Sequence, residues 1–377
     1  MTVPGIESFA VDVPTSALED LQRRLAVTRW PERETVRDWS QGVPLHHVQD
    51  LCRYWLHEYD WPARQTLLNS VPQFVTHVDG LPIHFMHARS PHPDALPLLL
   101  THGWPGSVAE FLAVIQPLTV PDDPRDAFHV VIPSLPGYGW SGKPDLTGWG
   151  LARIADAWAE LMTRLGYGRF GAQGGDIGSG VSAHLGARHP TRVVGVHVNM
   201  VIAGPPPGQT EFSDVERRAL EAERRYRAVD SGYNKLQRTR PQTVGYGLSD
   251  SPSGQCAWIL EKFWAWSDCD GDPVAALGRD RILDHIAIYW FTGSGASSAR
   301  LYWEMAQERG GRLPKVPVPA GASLFPHDIY RPPQDWAAAQ FPDLRMWREH
   351  ERGGHFAAME QPDALVSDIR EFFRPLR

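Results

Sequence analysis

The sequence predicts an α/β fold with a mostly parallel sheet, on three observations. Short apolar runs alternate with amphipathic helical stretches, as in strand–helix–strand units. The runs are continuously apolar rather than alternating, which suits strands covered on both faces. A Gly-rich turn, Gly174-Gly175-Asp176-Ile177-Gly178-Ser179, joins one such strand to the helix after it. The chain has 377 residues. Single cores stop growing near about 250–300 residues, so additions to one main domain are expected.

Four regions follow in order. Residues 1–72 read as an N-terminal helical segment. Ala17, Leu18, Leu21 and Leu25 recur at helical spacing, with Thr15 or Ser16 as N-cap. A second helix spans about His46–Glu58, with Val48, Leu51, Cys52, Trp55 and Leu56 on one face. Trp30-Pro31 and Trp61-Pro62 read as breaks. Residues 73–203 are the first part of the core. Gln73–His77 and Ile83–His87 flank the hairpin signal Asp79-Gly80. Leu96–Leu100, Phe128–Ile132, Arg169–Gln173 and Val193–Val198 read as strands, Leu151–Leu165 and Gly180–Arg188 as helices. Gly204-Pro205-Pro206-Pro207-Gly208 then interrupts the pattern. Residues 204–312 are helical, charged at Ser213–Arg227 and aromatic at Phe263–Trp266 and Ile288–Phe291, as an inserted cap would be. Residues 313–377 resume the core with the strand Val316–Phe325 and the helix Pro362–Phe373.

Composition narrows the function. Hydrophobic residues make up 42% and charged residues 21%, which excludes a largely disordered chain. Net charge is -7 and no basic run stands out, so nucleic acid is not expected as a partner. No secretory leader and no run of about 18 apolar residues is present, so no membrane anchor and a cytoplasmic location are expected. Cys52, Cys256 and Cys269 are odd in number and scattered, which fits free thiols rather than disulfides or zinc. No His/Cys cluster suggests a metal, and no cofactor is expected. A homo-oligomer is compatible with the sequence but not required by it. Tryptophan is over-used, at 15 residues.

The Gly-rich turn carries the strongest chemical signal. A nucleophile elbow needs small residues around the nucleophile because the strand-to-helix turn is tight. The spacing small–x–nucleophile–x–small–small is met, with Asp176 where esterases carry serine. Asp176 as a plain helix cap fits the same spacing, and a dinucleotide fingerprint fits it less well, lacking G-x-G-x-x-G. The second signal is His102-Gly103-Trp104-Pro105-Gly106-Ser107, directly after the strand Leu96–Leu100. A loop at this place supplies one oxyanion-hole N–H and the residue after the nucleophile supplies the other, here Trp104 and Ile177. His102 reads as a structural residue of the loop. The base falls just before the final helix, as His355 in Arg352-Gly353-Gly354-His355-Phe356. Asp328 is the first carboxylate after the strand Val316–Phe325, ahead of Asp335 and Asp343, and would hold the His355 tautomer.

These motifs, in this order, resemble the epoxide hydrolases of the α/β-hydrolase fold, most closely the microsomal branch and its soluble bacterial relatives. The resemblance spans nearly the whole chain. Phe9–Pro31 is similar to that branch's N-terminal segment through Arg24, Leu25, Thr28, Arg29, Trp30 and Pro31. Pro133–Gly139 resembles its loop after the fourth strand. Ser249–Pro252 and Ile259–Phe263 resemble its cap, and Arg352–Ala358 its histidine motif. The resemblance implies Asp176 as nucleophile, His355 as base and Asp328 as acid. Animal microsomal enzymes carry Glu at the acid position, so Asp328 departs from them while keeping a carboxylate. It also implies two cap tyrosines that hold the epoxide oxygen. Tyr302 matches one, and Tyr233 the other through a less distinctive motif, with Tyr289 as competitor.

The reading is therefore an enzyme that hydrolyses an apolar, aryl or bulky epoxide to a vicinal diol through an Asp176 ester, with water as second substrate. A haloalkane dehalogenase shares the Asp nucleophile, but Ile177 stands where its halide-binding Trp would be. A binding protein on a hydrolase scaffold would not need all three triad positions filled. Trp30, Trp39, Trp55 and Trp61 read as packing. Trp104, Trp264 and Trp266 are expected to bind substrate, and Trp258, Trp290 and Trp303 to roof the site with them.

Overall fold

The computed structural model describes residues 5–308 and 313–377. The expected end of the helical insertion, at 312, lies outside the described residues, as do the first four residues. Nine strands form one sheet: β1 (Ile6–Phe9), β2 (Gln73–Val78), β3 (Leu81–Ala88), β4 (Leu96–Thr101), β5 (Phe128–Pro133), β6 (Phe170–Gly174), β7 (Val193–Val198), β8 (Ala320–Leu324) and β9 (Leu344–Glu349). Their order is β1-β2-β3-β5-β4-β6-β7-β8-β9. From β5 to β9 all pairings are parallel, while β1, β2 and β3 join antiparallel. The α/β expectation holds. In the β2–β3 hairpin, Asp79 and Gly80 take φ of 50° and 77°, the left-handed pair that a two-residue loop demands.

The inner parallel strands are buried at nearly every position, which is why they carry apolar or small residues with no regular polar alternation. Helices Leu151–Arg164, Ile177–Arg188 and Pro362–Phe373 supply covering apolar faces. Between β7 and β8 lie seven described helices, from Asp214–Val229 to Gly295–Gln307. The first of these, Asp214–Val229, buries no residue and starts with a Ser213–Glu216 capping box.

Several local expectations are corrected. Both edge strands, β1 and β9, escape the sequence reading because half-exposed edges carry polar residues and show no apolar run. Trp61-Pro62 opens a helix, Trp61–Asn69, rather than breaking one. Asp60 caps it by accepting from the Ala63 N–H, and Pro62 lies in the first turn, where a missing N–H costs nothing. Neither Thr15 nor Ser16 caps the first helix. Pro14 holds that position and Thr15 is already helical. The strand expected over Val316–Phe325 is confined to Ala320–Leu324.

The N-terminal helices pack on the block between β7 and β8. Arg64 forks onto Asp284, at 2.8 Å to Oδ1 and 2.5 Å to Oδ2, and the Tyr59 hydroxyl donates to Oδ1 at 2.8 Å. Asp284 is buried. Breaking a buried pair from one side leaves an uncompensated charge. Arg64→Ala should therefore cost about 3 kcal/mol of folding stability, the low end for such pairs because Arg64 keeps some solvent contact. Chemical denaturation measures this, and a loss below about 1 kcal/mol would show the tie to be incidental.

Candidate active site

Asp176 sits at the turn between β6 and the helix Ile177–Arg188, with φ of 50° and ψ of -125°. This backbone is strained for a residue other than glycine, and the surroundings must hold it. Small neighbours are mandatory. A Cβ on Gly174 would lie 2.3 Å from the Gly178 carbonyl, and one on Gly178 would lie 1.9 Å from the Thr101 carbonyl oxygen. The capping alternative fails, because the Asp176 side chain makes no cap bond to its helix. Its Oδ1 instead accepts the Trp104 N–H at 2.8 Å, and the Ile177 N–H also supports its charge. Gly103 permits this approach, since a Cβ there would fall 2.1 Å from Asp176 Oδ1.

His102 holds the loop. It is buried, its Nδ1 lies 2.9 Å from the Gly103 carbonyl, and its Nε2 accepts the Leu135 N–H at 3.2 Å. Burial lowers its pKa to about 4, so it stays neutral and bridges the two loops.

His355 and Asp328 come from loops after β9 and β8. A parallel bridge between His327 and Gly354 brings these loops together. Gly354 is needed because a Cβ would lie 2.4 Å from the Trp266 carbonyl oxygen, which accepts the His355 N–H at 2.8 Å. His355 Nδ1 is 2.7 Å from Asp328 Oδ1, and its Nε2 is 3.7 Å from Asp176 Oδ2. The three predicted polar residues thus meet in one line. Burial disfavours the imidazolium, but the charge of Asp328, its hydrogen bond, and then Asp176 and Glu110 outweigh it and raise His355 to about 9. Burial likewise raises the Asp176 carboxyl, against the pull of His355 and the two N–H groups.

Sequence reading missed two acids here. Glu110, six residues beyond Trp104, is raised to about 8 by burial and by Asp176 and Glu360 nearby, against His355. Glu360 is raised to about 7, chiefly by burial, and accepts the N–H groups of Asp268 and Phe356. A carboxylate inside an otherwise apolar segment, such as Phe111 and Leu112 after Glu110, is the signal that was available.

An aromatic cluster covers the triad. Trp104 stacks on Tyr233 at 4.9 Å and 9°, and meets Tyr302 edge-on at 6.0 Å and Trp266 at 6.2 Å. Trp266 also lies 5.0 Å from the His355 ring. Tyr302 and Tyr233 are both buried, and burial holds both phenols well above the usual tyrosine range. The Tyr233 hydroxyl lies 2.9 Å from that of Tyr226, on the helix Asp214–Val229. Tyr289 is occupied elsewhere, donating to the Gly106 carbonyl at 3.0 Å.

Trp264 is a correction. It stacks on Trp39 of the N-terminal region at 4.7 Å and 3°, away from the triad. Trp264 and Trp266 are two residues apart on one helix, so they point about 200° apart and cannot share a face. Trp258 donates to Gln237, and Trp290 lies under Arg24. Trp303 lines an outer cleft with Pro144 and Arg240. Among the tryptophans expected over the site, Trp104 and Trp266 reach it.

No helix among the described residues is long and apolar enough to cross a membrane, and these residues hold no metal-ligand cluster. A family model described as "Epoxide hydrolase N terminus" matches residues 6–111, and one described as "alpha/beta hydrolase fold" matches residues 97–237. A protein of Stigmatella aurantiaca, provisionally named an epoxide hydrolase, is 53% identical over 99% of this chain and 86% of its own. Epoxide hydrolase 1 of Oryctolagus cuniculus is 35% identical over 98% and 88%. The solved epoxide hydrolase of Aspergillus niger is 34% identical, with a TM-score of 0.90 over 100% and 97% of the two chains. Full-length similarity at these identities, with a carboxylate at the elbow and a His–Asp pair facing it, places this chain among the epoxide hydrolases of the α/β-hydrolase fold.

Proposed function

We propose that this epoxide hydrolase converts an apolar, aryl or bulky epoxide to a vicinal diol through an ester on Asp176. The observation that carries this reading is the 3.7 Å gap between His355 Nε2 and Asp176 Oδ2. It is too long for a direct hydrogen bond, so Asp176 remains free to attack carbon. The imidazole also faces the carboxyl group that water must later reach. The helical block between β7 and β8 acts as a cap and supplies the phenols.

In the first step an Asp176 oxygen attacks one epoxide carbon, and the carbon–oxygen bond breaks with its electron pair on oxygen. Tyr302 and Tyr233 remain neutral donors and meet that oxygen, one of them giving a proton. Esterification removes the Asp176 charge, one of those that keep the proton on His355. The imidazolium then returns its proton, by way of solvent, to the phenolate and becomes a base. In the second step His355 takes a proton from water, and hydroxide adds to the Asp176 carboxyl carbon. The Trp104 and Ile177 N–H groups hold the resulting oxyanion, each donor being worth about 2.7–4 kcal/mol in such sites. The adduct then collapses: its bond to the diol oxygen breaks, the departing alkoxide takes the proton of the added hydroxyl, and Asp176 is restored as a carboxylate. The aromatic side chains of Trp104, Trp266, Tyr233 and Tyr302 support an apolar substrate.

The test is a single turnover of styrene oxide in 18O-water. The first diol should carry the enzyme's own oxygen, and the peptide containing Asp176 should gain the heavy label. Solvent label in the diol of the first turnover would rule out the ester.

A further inference from the structure

Lys262 is one of only four lysines in the chain. Its side chain is 2% exposed, in the helix Pro252–Trp266. The ammonium lies 4.6 Å from the centroid of the Tyr233 ring and 5.4 Å from that of Trp266. Trp104 stacks on Tyr233 and takes one face, so the ammonium takes the other. Asp230 fixes it there. Asp230 Oδ1 is 2.8 Å from Nζ, and Oδ2 accepts Trp266 Nε1 at 2.7 Å. Glu261 Oε1 is a further 3.0 Å contact.

We propose that Lys262 is a positioning residue that makes Tyr233, not Tyr302, the phenol that gives its proton to the epoxide oxygen. The inference rests on the ring-opening step proposed above. A buried cation on a ring face attracts a phenolate more strongly than a phenol, because the phenolate spreads its charge into the ring. As the epoxide C–O bond breaks, its electron pair stays on oxygen, which takes the Tyr233 proton, and the phenolate forms beside Lys262. The Tyr226 hydroxyl can donate to that phenolate from 2.9 Å. Asp230, Asp176 and an ionised Tyr226 oppose the charge on Tyr233. Of these, Asp176 is neutralised by the same step, as it becomes an ester. Burial opposes a phenolate on Tyr302 as well, and of its charged neighbours Asp176 loses its charge in the same step, so the difference between the two phenols lies in the cation. Among the described residues no Lys or Arg lies over the Tyr302 ring. The two donors are therefore chemically unequal.

The experiment compares ester formation and ester decay in rapid-quench single turnovers of styrene oxide by the full chain. Lys262→Met should slow ring opening about tenfold or more and leave ester decay within about twofold. The alkaline fall in ring opening should move to higher pH, because the phenol loses a cation that favours its ionised form. Lys262→Arg should restore both. Asp230→Asn removes an opposing anion, so it should move the alkaline fall to lower pH. It carries the test alone if Lys262→Met does not fold, and an unmoved alkaline limb would then overturn the proposal. Adding Lys262→Met to Tyr233→Phe should slow ring opening no further, whereas adding it to Tyr302→Phe should produce the full loss. Equal losses in both backgrounds, or equal slowing of both half-reactions, would overturn it. Tyr233→Phe with unchanged ring opening is a separate outcome. It would remove Tyr233 from the proposed chemistry, and Lys262 with it.

Discussion

Replacing His355 with Gln is expected to slow turnover by about 10²–10⁴-fold, the usual worth of a general base, and to leave the enzyme carrying the mass of the epoxide. The two effects have one cause. Ring opening, as proposed, needs the Asp176 carboxylate, which still has the Trp104 and Ile177 N–H groups to support its charge when the His355 imidazolium is gone. Ester hydrolysis needs a proton taken from water, and His355 faces Asp176 with its Nε2 at 3.7 Å from Oδ2. Its Nδ1 is committed to Asp328 at 2.7 Å, which leaves Nε2 for this task. Glutamine keeps the bulk but cannot accept the proton. Intact-mass measurement after mixing with excess epoxide should show protein plus one epoxide, and digestion should place it on Asp176. An inactive variant with no adduct would exclude His355 as the base of the second step.

Asp176→Ala should show the larger loss, at least about 10⁴-fold, with no adduct. In the proposed mechanism the carboxylate is both the attacking group and the carrier of the intermediate, so neither half-reaction should survive. Its replacement also separates the two roles. Asp176→Ala with His355→Gln should be no slower than Asp176→Ala alone, because residues that act in one sequence are not additive. The same substitution removes a buried carboxylate whose side chain is 12% exposed and whose charge burial disfavours. Diol formation by the single and double variants measures the prediction. A further tenfold fall in the double variant would mean that His355 works on a reaction that bypasses Asp176.

Much of this was legible in the chain itself. The buried strands β4, β5 and β7 were visible because each is a short, mostly apolar run. The elbow was visible because its requirement for small residues is local, lying within Gly174–Ser179. The order of Asp176, Asp328 and His355 follows from connectivity once the strands are recognised. The edge strands β1 and β9 were not visible, since half-exposed backbone imposes no apolar pattern. Trp61-Pro62 was misread because proline at a helix start and proline at a break look alike until the Asp60 cap is seen.

What the sequence determined by itself is therefore the fold class and the choice of residues proposed to react, because both depend on spacings of a few residues. The tertiary structure decided which side chains surround them. Trp264 and Trp266 differ by two positions, yet one stacks on Trp39 and the other reaches His355, because helical phase and the neighbouring elements select the face. Lys262 sat in the sequence as an ordinary charge beside Glu261. Only packing places its ammonium on the Tyr233 ring, where burial weakens screening by water. Such pairings join residues far apart in the chain, so no local pattern encodes them.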